Sequence, residues 1–291
     1  MRVSLFHNQK AGDSTSLSWI RQLIETSGHE LVRVFDREAA FGELVDQRTE
    51  LVAVAGGDGT VAAAARLLAG HNIPLAILPL GTANNIAKAL LGDATSEQLV
   101  SCWNTAHRRR IDLGVAHHHR GEHRFVEAVG VGLVPASIIS TRFEPLEGED
   151  VISSISSALE RYLDVLSRLE PRRWTLRLDG EEITADFIAV EVLNTRSVGP
   201  NLVLSQDADP YDGYFSVVTA AEEQRDELRR YLQDRIDGRD NINLALPVRR
   251  AQHVDIIGRG DTHIDDEVVR SAIPGTVSIR IETAAVEVLV C

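Results

Sequence analysis

An alternation between short apolar runs and helix-patterned stretches in the first hundred residues constrains this chain more than any other feature. The runs Val3–His7, Leu31–Phe35, Leu51–Ala55 and Leu75–Leu78 read as strands. Between and after them come a helix that ends near Gly28, one over roughly Glu38–Gln47, one over Thr60–Ala69 stopped at Gly70, and one over Asn85–Leu91. A helix between two strands brings the second back parallel to the first, so the repeat predicts a parallel, doubly wound sheet covered on both faces. Ligands in such sheets bind at the carboxyl ends of the strands. Three polar turns fall at that edge: "HNQKAG", "GGDGT" and "PLGTANN".

Within "AVAGGDGTVAAAA" one carboxylate, Asp58, stands in a strand-to-helix turn among glycines. Bare amides and the helix dipole favour an anion there. A carboxylate would repel a phosphate unless a cation lay between them, and that combination suggests a magnesium-bound nucleotide. A helix-capping aspartate in a tight turn accounts for the same residue. The second turn, with Gly81, Thr82, Asn84 and Asn85, also ends a strand and opens a helix. Two such turns from neighbouring strands can grip phosphates and ribose.

After about residue 110 the pattern changes. Strand-like runs follow at Ile111–Val115, Arg124–Val131, Trp174–Leu178, Phe187–Leu193, Tyr214–Val218, His253–Ile257, Val277–Ile281 and Val286–Val290. Helical stretches interrupt them near Val151–Leu169 and Ala221–Ile236. Strands separated by turns predict an antiparallel sandwich or barrel. The expected organisation is α/β: a nucleotide-binding domain over 1–109, to which 284–291 can return, and a β-sandwich domain over 110–283.

A net charge of −13 argues against nucleic acid as a partner and against strong docking on anionic lipid. No apolar stretch approaches a membrane span, so any membrane contact is expected to be peripheral, at the inner face. Cys102 and Cys291 form no metal or redox motif and fit a reduced, cytoplasmic protein. A homodimer is compatible with all of this.

The two turns, taken with "VEVLNTRSVG" (190–199), "DADPYDGYFSVV" (207–218) and "HIDDEVV" (263–269), resemble the diacylglycerol kinase catalytic family in order and spacing. These bacterial lipid kinases are related to sphingosine and ceramide kinases. The resemblance implies a nucleotide-binding α/β domain, a β-sandwich domain and an active site in the cleft between them, with ATP and magnesium as cofactors and a lipid acceptor at a membrane surface. It places Gly56, Gly57, Asp58, Gly59 and Thr60 in the ATP site, with Asp58 required for activity, and brings Gly81, Thr82 and Asn84 to the nucleotide. Asn8 matches the asparagine of the family's N-P-x-x-G turn and Gly12 its closing glycine, although Gln9 replaces the proline. Asn194 and Gly199 match family positions but carry no assigned chemistry.

Phosphorylating a hydroxyl requires a base beside it, which the family takes from an aspartate–glycine–glutamate motif. "DGE" at 179–181 spells that motif, but the alternation before it reads as a β-hairpin with an Asp-Gly turn. "IDDE" has the position of the family motif, with Asp266 in the glycine's place, so the expected base is Asp265 supported by Glu267. "DPYDGYF" resembles the family's structural magnesium site, which implies Asp209, Asp212 and the Tyr214 carbonyl as ligands; a plain Asp-Gly turn explains the same residues. Ala62 and Ala63 depart from the polar pair that usually follows "GGDGT". NAD kinase, which shares "GGDGT", and a non-catalytic lipid- or nucleotide-binding relative are the alternatives. "HHH" at 117–119 reads as a solvated hairpin end, since adjacent strand residues point to opposite faces, and "RRR" at 108–110 as a solvated junction.

Overall fold

The computed structural model describes residues 1–8, 16–35, 48–141, 151–239 and 244–291. Gly12 and the helix expected over Glu38–Gln47 lie outside the described residues. The chain divides into two units, Met1–Asp112 with Thr283–Cys291, and Leu113–Glu282.

The first unit runs β1 (Arg2–His7), α1 (Leu17–Thr26), β2 (Glu30–Phe35), β3 (Leu51–Gly56), α2 (Asp58–Leu68), β4 (Leu75–Pro79), α3 (Asn85–Leu91) and α4 (Ser96–Cys102). Its strands lie in the order β2-β1-β3-β4, all parallel. Every residue of β3 is buried, as an apolar run without polar alternation must be when helices cover both faces. Val3, Leu5, Ile20, Ile24, Leu51 and Leu78 belong to the core beneath α1. Helix α2 begins at Asp58, two positions before the alanine-rich pattern suggests, because Gly57 takes the N-cap position. Helix α4 is absent from the sequence expectation. Thr95 and Gln98 form a reciprocal capping box at its start, satisfying two of its free amides.

The chain crosses into the second unit along β5 (His107–His118) and continues through β6 (Gly121–Phe125), β7 (Ala128–Gly132), α5 (Leu133–Thr141), α6 (Val151–Arg168), β8 (Arg172–Leu178) and β9 (Glu181–Leu193). Two short strands, β10 (Ser197–Val198) and β11 (Leu202–Val203), precede β12 (Phe215–Ala221) and α7 (Arg225–Ile236). Then come β13 (Val248–Ala251), β14 (His253–Gly258), β15 (Thr262–Ile264), β16 (Glu267–Val269) and β17 (Gly275–Val290), which returns to the first unit. Neighbouring strands of this unit pair antiparallel, as in β15-β7-β9-β8-β14-β17. Leu159, Tyr162, Val165 and Leu166 of α6 share one core with Leu228, Tyr231 and Leu232 of α7 and with Ile188 and Leu193 of β9. The apolar face of α6 is therefore spent on its own unit. A second core holds Phe125 stacked on Phe215 with centroids 5.7 Å apart, together with Trp174, Val190 and Ile256.

The α/β domain followed by a sandwich-like antiparallel domain agrees with the sequence expectation, and three details correct it. Arg124–Val131 is not one strand: β6 ends at Phe125 and β7 starts at Ala128, because the N–H groups of Val126 and Glu127 donate to the Asp265 carboxylate instead of to a ladder. Conversely, Val277–Ile281 and Val286–Val290 belong to the single strand β17. It passes through Ala284 at φ +50°, whose N–H donates to the Asp112 carboxylate at 2.7 Å. Finally, Cys102 and Cys291, expected as reduced thiols, form a disulfide that ties the end of α4 to the residue after β17, with Cα atoms 5.9 Å apart. Among the described residues no helix is long and apolar enough to cross a membrane.

Candidate functional site

The first unit brings the two glycine turns into direct backbone contact. A Cβ on Gly81 would lie 2.3 Å from the Cα of Gly57, and one on Gly57 would lie 3.2 Å from the Cα of Gly81. Carbon atoms at ordinary contact are about 3.5–4.0 Å apart, so the turns meet only because both positions lack side chains. The second turn is locked from within by Asn84. Its backbone is left-handed (φ +53°), and its carboxamide accepts from the Gly81 N–H at 2.9 Å and donates to the Gly81 carbonyl at 2.7 Å. Asparagine is among the few residues that take this conformation readily.

Asp58 joins the turns a second time. Its Oδ1 accepts the N–H of Ile86, in the first turn of α3, at 2.9 Å. Burial pushes the Asp58 carboxyl above the usual range, opposed by the amides at the start of α3 and by the Lys88 ammonium. The carboxylate thus caps the neighbouring helix α3, not its own. Thr60 is buried and its hydroxyl accepts from the Asn8 carboxamide at 2.9 Å, while the Asn8 N–H donates to the Ala55 carbonyl at 3.0 Å. A Cβ on Gly56 would sit 2.9 Å from the Thr60 Cβ. Asn8, Gly56, Gly57, Asp58, Thr60, Gly81 and Asn84 are therefore one interlocked cluster, with Gly59 and Thr82 half-buried beside it. A cavity of about 660 Å³ next to α3 is lined by Asn84 and Lys88 and by Trp19, Leu80 and Thr95. That volume falls within the usual range for small-molecule sites.

In the second unit Asp265 is buried, sits at φ +49°, and accepts the N–H of Glu127 at 2.8 Å and that of Val126 at 3.2 Å. Its own N–H donates to the Ala128 carbonyl at 2.9 Å. Asn194 braces the same loop by donating to the carbonyl of Val126 at 2.8 Å. Glu267 lies on β16, two positions after Asp265, with its side chain exposed. A pair that sequence reasoning missed stands behind Asp265. His263 Nε2 lies 2.7 Å from Glu191 Oε2, and both residues are buried. Neither motif nor spacing announces this pair. Its only sequence trace is that each lies in a stretch already singled out for other reasons.

The remaining expected residues belong to other turns of the second unit. Asp179 and Gly180, at φ +49° and +98°, form the two-residue turn of the β8–β9 hairpin. The Asp179 carboxylate accepts the N–H groups of Gln252 and His253. Asp209 caps the N–H of Tyr211, and Asp212 accepts the N–H of Tyr214 at 2.9 Å and the Arg250 guanidinium at 2.6 Å. Arg250 also stacks 4.3 Å from the Tyr214 ring centre. Both Asp212 oxygens are thus engaged and a cation already lies against them, so these side chains do not fit a magnesium ion as they stand. The histidines at 117–119 end the β5–β6 hairpin. No group of three or more His, Cys, Asp or Glu able to hold a metal occurs among the described residues.

Residues 2–116 match the family model of the diacylglycerol kinase catalytic domain. Residues 157–290 match that of the YegS C-terminal NAD kinase beta sandwich-like domain. A diacylglycerol kinase from Mycobacterium tuberculosis is 33% identical over 197 residues, covering 64% of this chain and 60% of that protein. One from Bacillus subtilis is 27% identical over 230 residues, covering 75% and 73%. The match to the mycobacterial relative therefore spans about three fifths of its length. A crystal structure of a diacylglycerol kinase from Bacillus anthracis str. Sterne superposes with a TM-score of 0.73 at 18% identity, over 99% of this chain and 96% of that one, which shows the fold. With both halves matched in order, the chain belongs to the family of diacylglycerol kinases and YegS-like lipid kinases.

Proposed function

We propose that this chain is an ATP- and magnesium-dependent kinase that phosphorylates the hydroxyl of diacylglycerol or a similar lipid. The observation that carries the reading is the double clasp between the two turns, Gly57 against Gly81 and Asp58 on the Ile86 amide. Two glycine turns clasped at their backbones, each opening a helix, are suited to a phosphate chain, since the free amides at a helix start can approach it closely. Asp58, Asn84 and Lys88 are the side chains that would face such a ligand and its cation. Magnesium, when bound, offsets the charge of the phosphates against Asp58 and against one another.

In this reading Asp265 accepts the proton of the acceptor hydroxyl as the new O–P bond forms at the γ-phosphorus and the bond to the leaving ADP breaks. The Val126 and Glu127 amides fix the direction of its carboxylate. Glu267, exposed on β16 two positions on, is the support of that base in the same reading. Peripheral, cytoplasmic action at a lipid surface is part of the same proposal. Transfer of labelled γ-phosphate to vesicle-borne diacylglycerol, ceramide and sphingosine, with NAD as a soluble acceptor, tests it. Labelled phosphatidic acid formed only with magnesium present is the expected product. Labelled NADP, or no labelled lipid at all, overturns the reading.

A further inference from the structure

We propose that His263 is a positioning residue that holds the base loop at Asp265 through a hydrogen bond whose direction Glu191 enforces. The inference rests on the lipid-kinase reading for its kinetics, but not for its geometry.

The arrangement begins with strand register. His263 on β15 pairs with Gly130 on β7, and Gly130 pairs with Glu191 on β9. Residues in register across adjacent strands point to the same face, so His263 and Glu191 flank Gly130 and meet over it. Only glycine leaves the room: a Cβ at position 130 would lie 2.1 Å from Glu191 Oε2. The imidazole is wholly buried, with Nε2 2.7 Å from Glu191 Oε2 and Nδ1 2.9 Å from the Asp265 carbonyl oxygen.

A carbonyl oxygen only accepts, so Nδ1 must carry the hydrogen. Nε2 and the carboxylate then share one further proton, as an imidazolium–carboxylate pair or as a neutral ring accepting from a carboxylic acid. In either form Nδ1–H stays aimed at residue 265. A buried charge or acid with no such partner would cost several kcal/mol, so the pair is costly ballast unless it secures something. The contact secures a strained point. Asp265 is at φ +49°, a conformation aspartate tolerates but does not prefer, and its side chain must meet the Val126 and Glu127 amides.

Two substitutions separate positioning from filling space. In His263→Asn the amide nitrogen falls near the place of Nδ1, and in His263→Gln near that of Nε2. The first keeps the donor to the Asp265 carbonyl and loses Glu191; the second does the reverse. Expected are a several-fold loss of kcat for His263→Asn, which keeps the donor but not the Glu191 that aims it, and a kcat lowered about a hundredfold for His263→Gln, the scale of misplacing a reacting group by about 1 Å. KM for ATP should be unchanged in both. Equal losses in the two variants, or losses that follow their melting temperatures, overturn the proposal.

Nitrogen NMR of the histidine-labelled wild-type protein needs neither a substrate nor a folded variant. It should show His263 protonated at Nδ1 and protected from exchange. An unprotonated Nδ1 refutes the hydrogen bond outright. Should the wild type phosphorylate no lipid while Nδ1 is protonated, the functional reading fails and the loop-holding contact stands.

Discussion

Gly81→Ala isolates the contact between the two turns. The added methyl would sit 2.3 Å from the Gly57 Cα and 2.8 Å from the Asn84 Oδ1. Ordinary carbon contacts begin at about 3.5 Å, so the turns must part by more than about 1 Å. Because the obstacle is backbone, no side-chain rotation relieves it. The Asn84 carboxamide must also leave the position from which it accepts the Gly81 N–H. Overpacking of this kind costs about 1–3 kcal/mol, which in a protein of this size lowers Tm by roughly 2–10 °C. A 1 Å displacement of a phosphate cradle costs about a hundredfold in turnover. Gly57→Ala is the internal comparison. Its methyl meets the Gly81 Cα at 3.2 Å, which a shift of a few tenths of an ångström relieves, so its effects should be several times smaller. Rates of labelled γ-phosphate transfer and differential scanning calorimetry read both quantities. Wild-type turnover and Tm in Gly81→Ala would refute the argument that the cradle depends on backbone contact.

Asp265→Asn should lower kcat by roughly two orders of magnitude or more with little change in KM for ATP. Asp179→Asn should leave activity intact, because asparagine suits the hairpin turn and still accepts the Gln252 and His253 amides; the opposite result exchanges the two motifs. Asp58→Asn retains an oxygen for the Ile86 amide, so it should fold normally yet need more magnesium for half-maximal rate, read from a magnesium titration. Cys291→Ser opens a loop of 189 residues and should lower denaturant stability by up to about 5 kcal/mol, whereas equal stability with and without reductant would show that the bond closes no loop in solution. For the buried pair, burial raises the Glu191 carboxyl above its ordinary value, and Glu191, overcoming burial, raises His263 above its ordinary 6.5. The pair holds its shared proton more tightly folded than unfolded, so its stabilisation is present at low pH and is lost as pH rises through the folded value. Tyr162 faces Glu191 and Asp265 faces His263, while Glu127 faces Tyr162. Denaturation of the wild type between pH 6 and 10 should show stability falling, and Glu191→Gln should flatten the slope.

Local pattern was enough for the parts of the fold that local pattern decides. Helix α3 occupies Asn85–Leu91, the span its periodicity predicts, and the Asp179–Gly180 turn follows from an Asp-Gly pair between alternating strands. The break between β6 and β7 was hidden because its cause lies 138 residues away, in the carboxylate that takes the Glu127 amide. Ala284 hid the continuity of β17 in the same way, since no rule of sequence anticipates alanine at φ +50°. Helix α4 was there to be found in the Thr95–Gln98 pair. For the candidate site, the turn residues were legible because glycine and asparagine mark unusual backbone. His263 and Glu191 were not, because a three-strand register, invisible in a single sequence, is what brings them over Gly130.

The path of β17 sets an order of events during synthesis. The sheet of the first unit acquires this strand only through its last residues, with Val288 beside Leu75 of β4. On a ribosome adding about 5–20 residues per second, β4 waits on the order of 10–40 s for its partner. Residues Leu113–Glu282, a continuous stretch, can meanwhile close. Until then β4, an apolar strand buried from Leu75 to Leu78 in the finished protein, presents an open edge. Exposed edges of that kind recruit other strands. The nascent first half is therefore the aggregation-prone stage of this protein's life, and a chaperone that shields it would act before the last strand emerges.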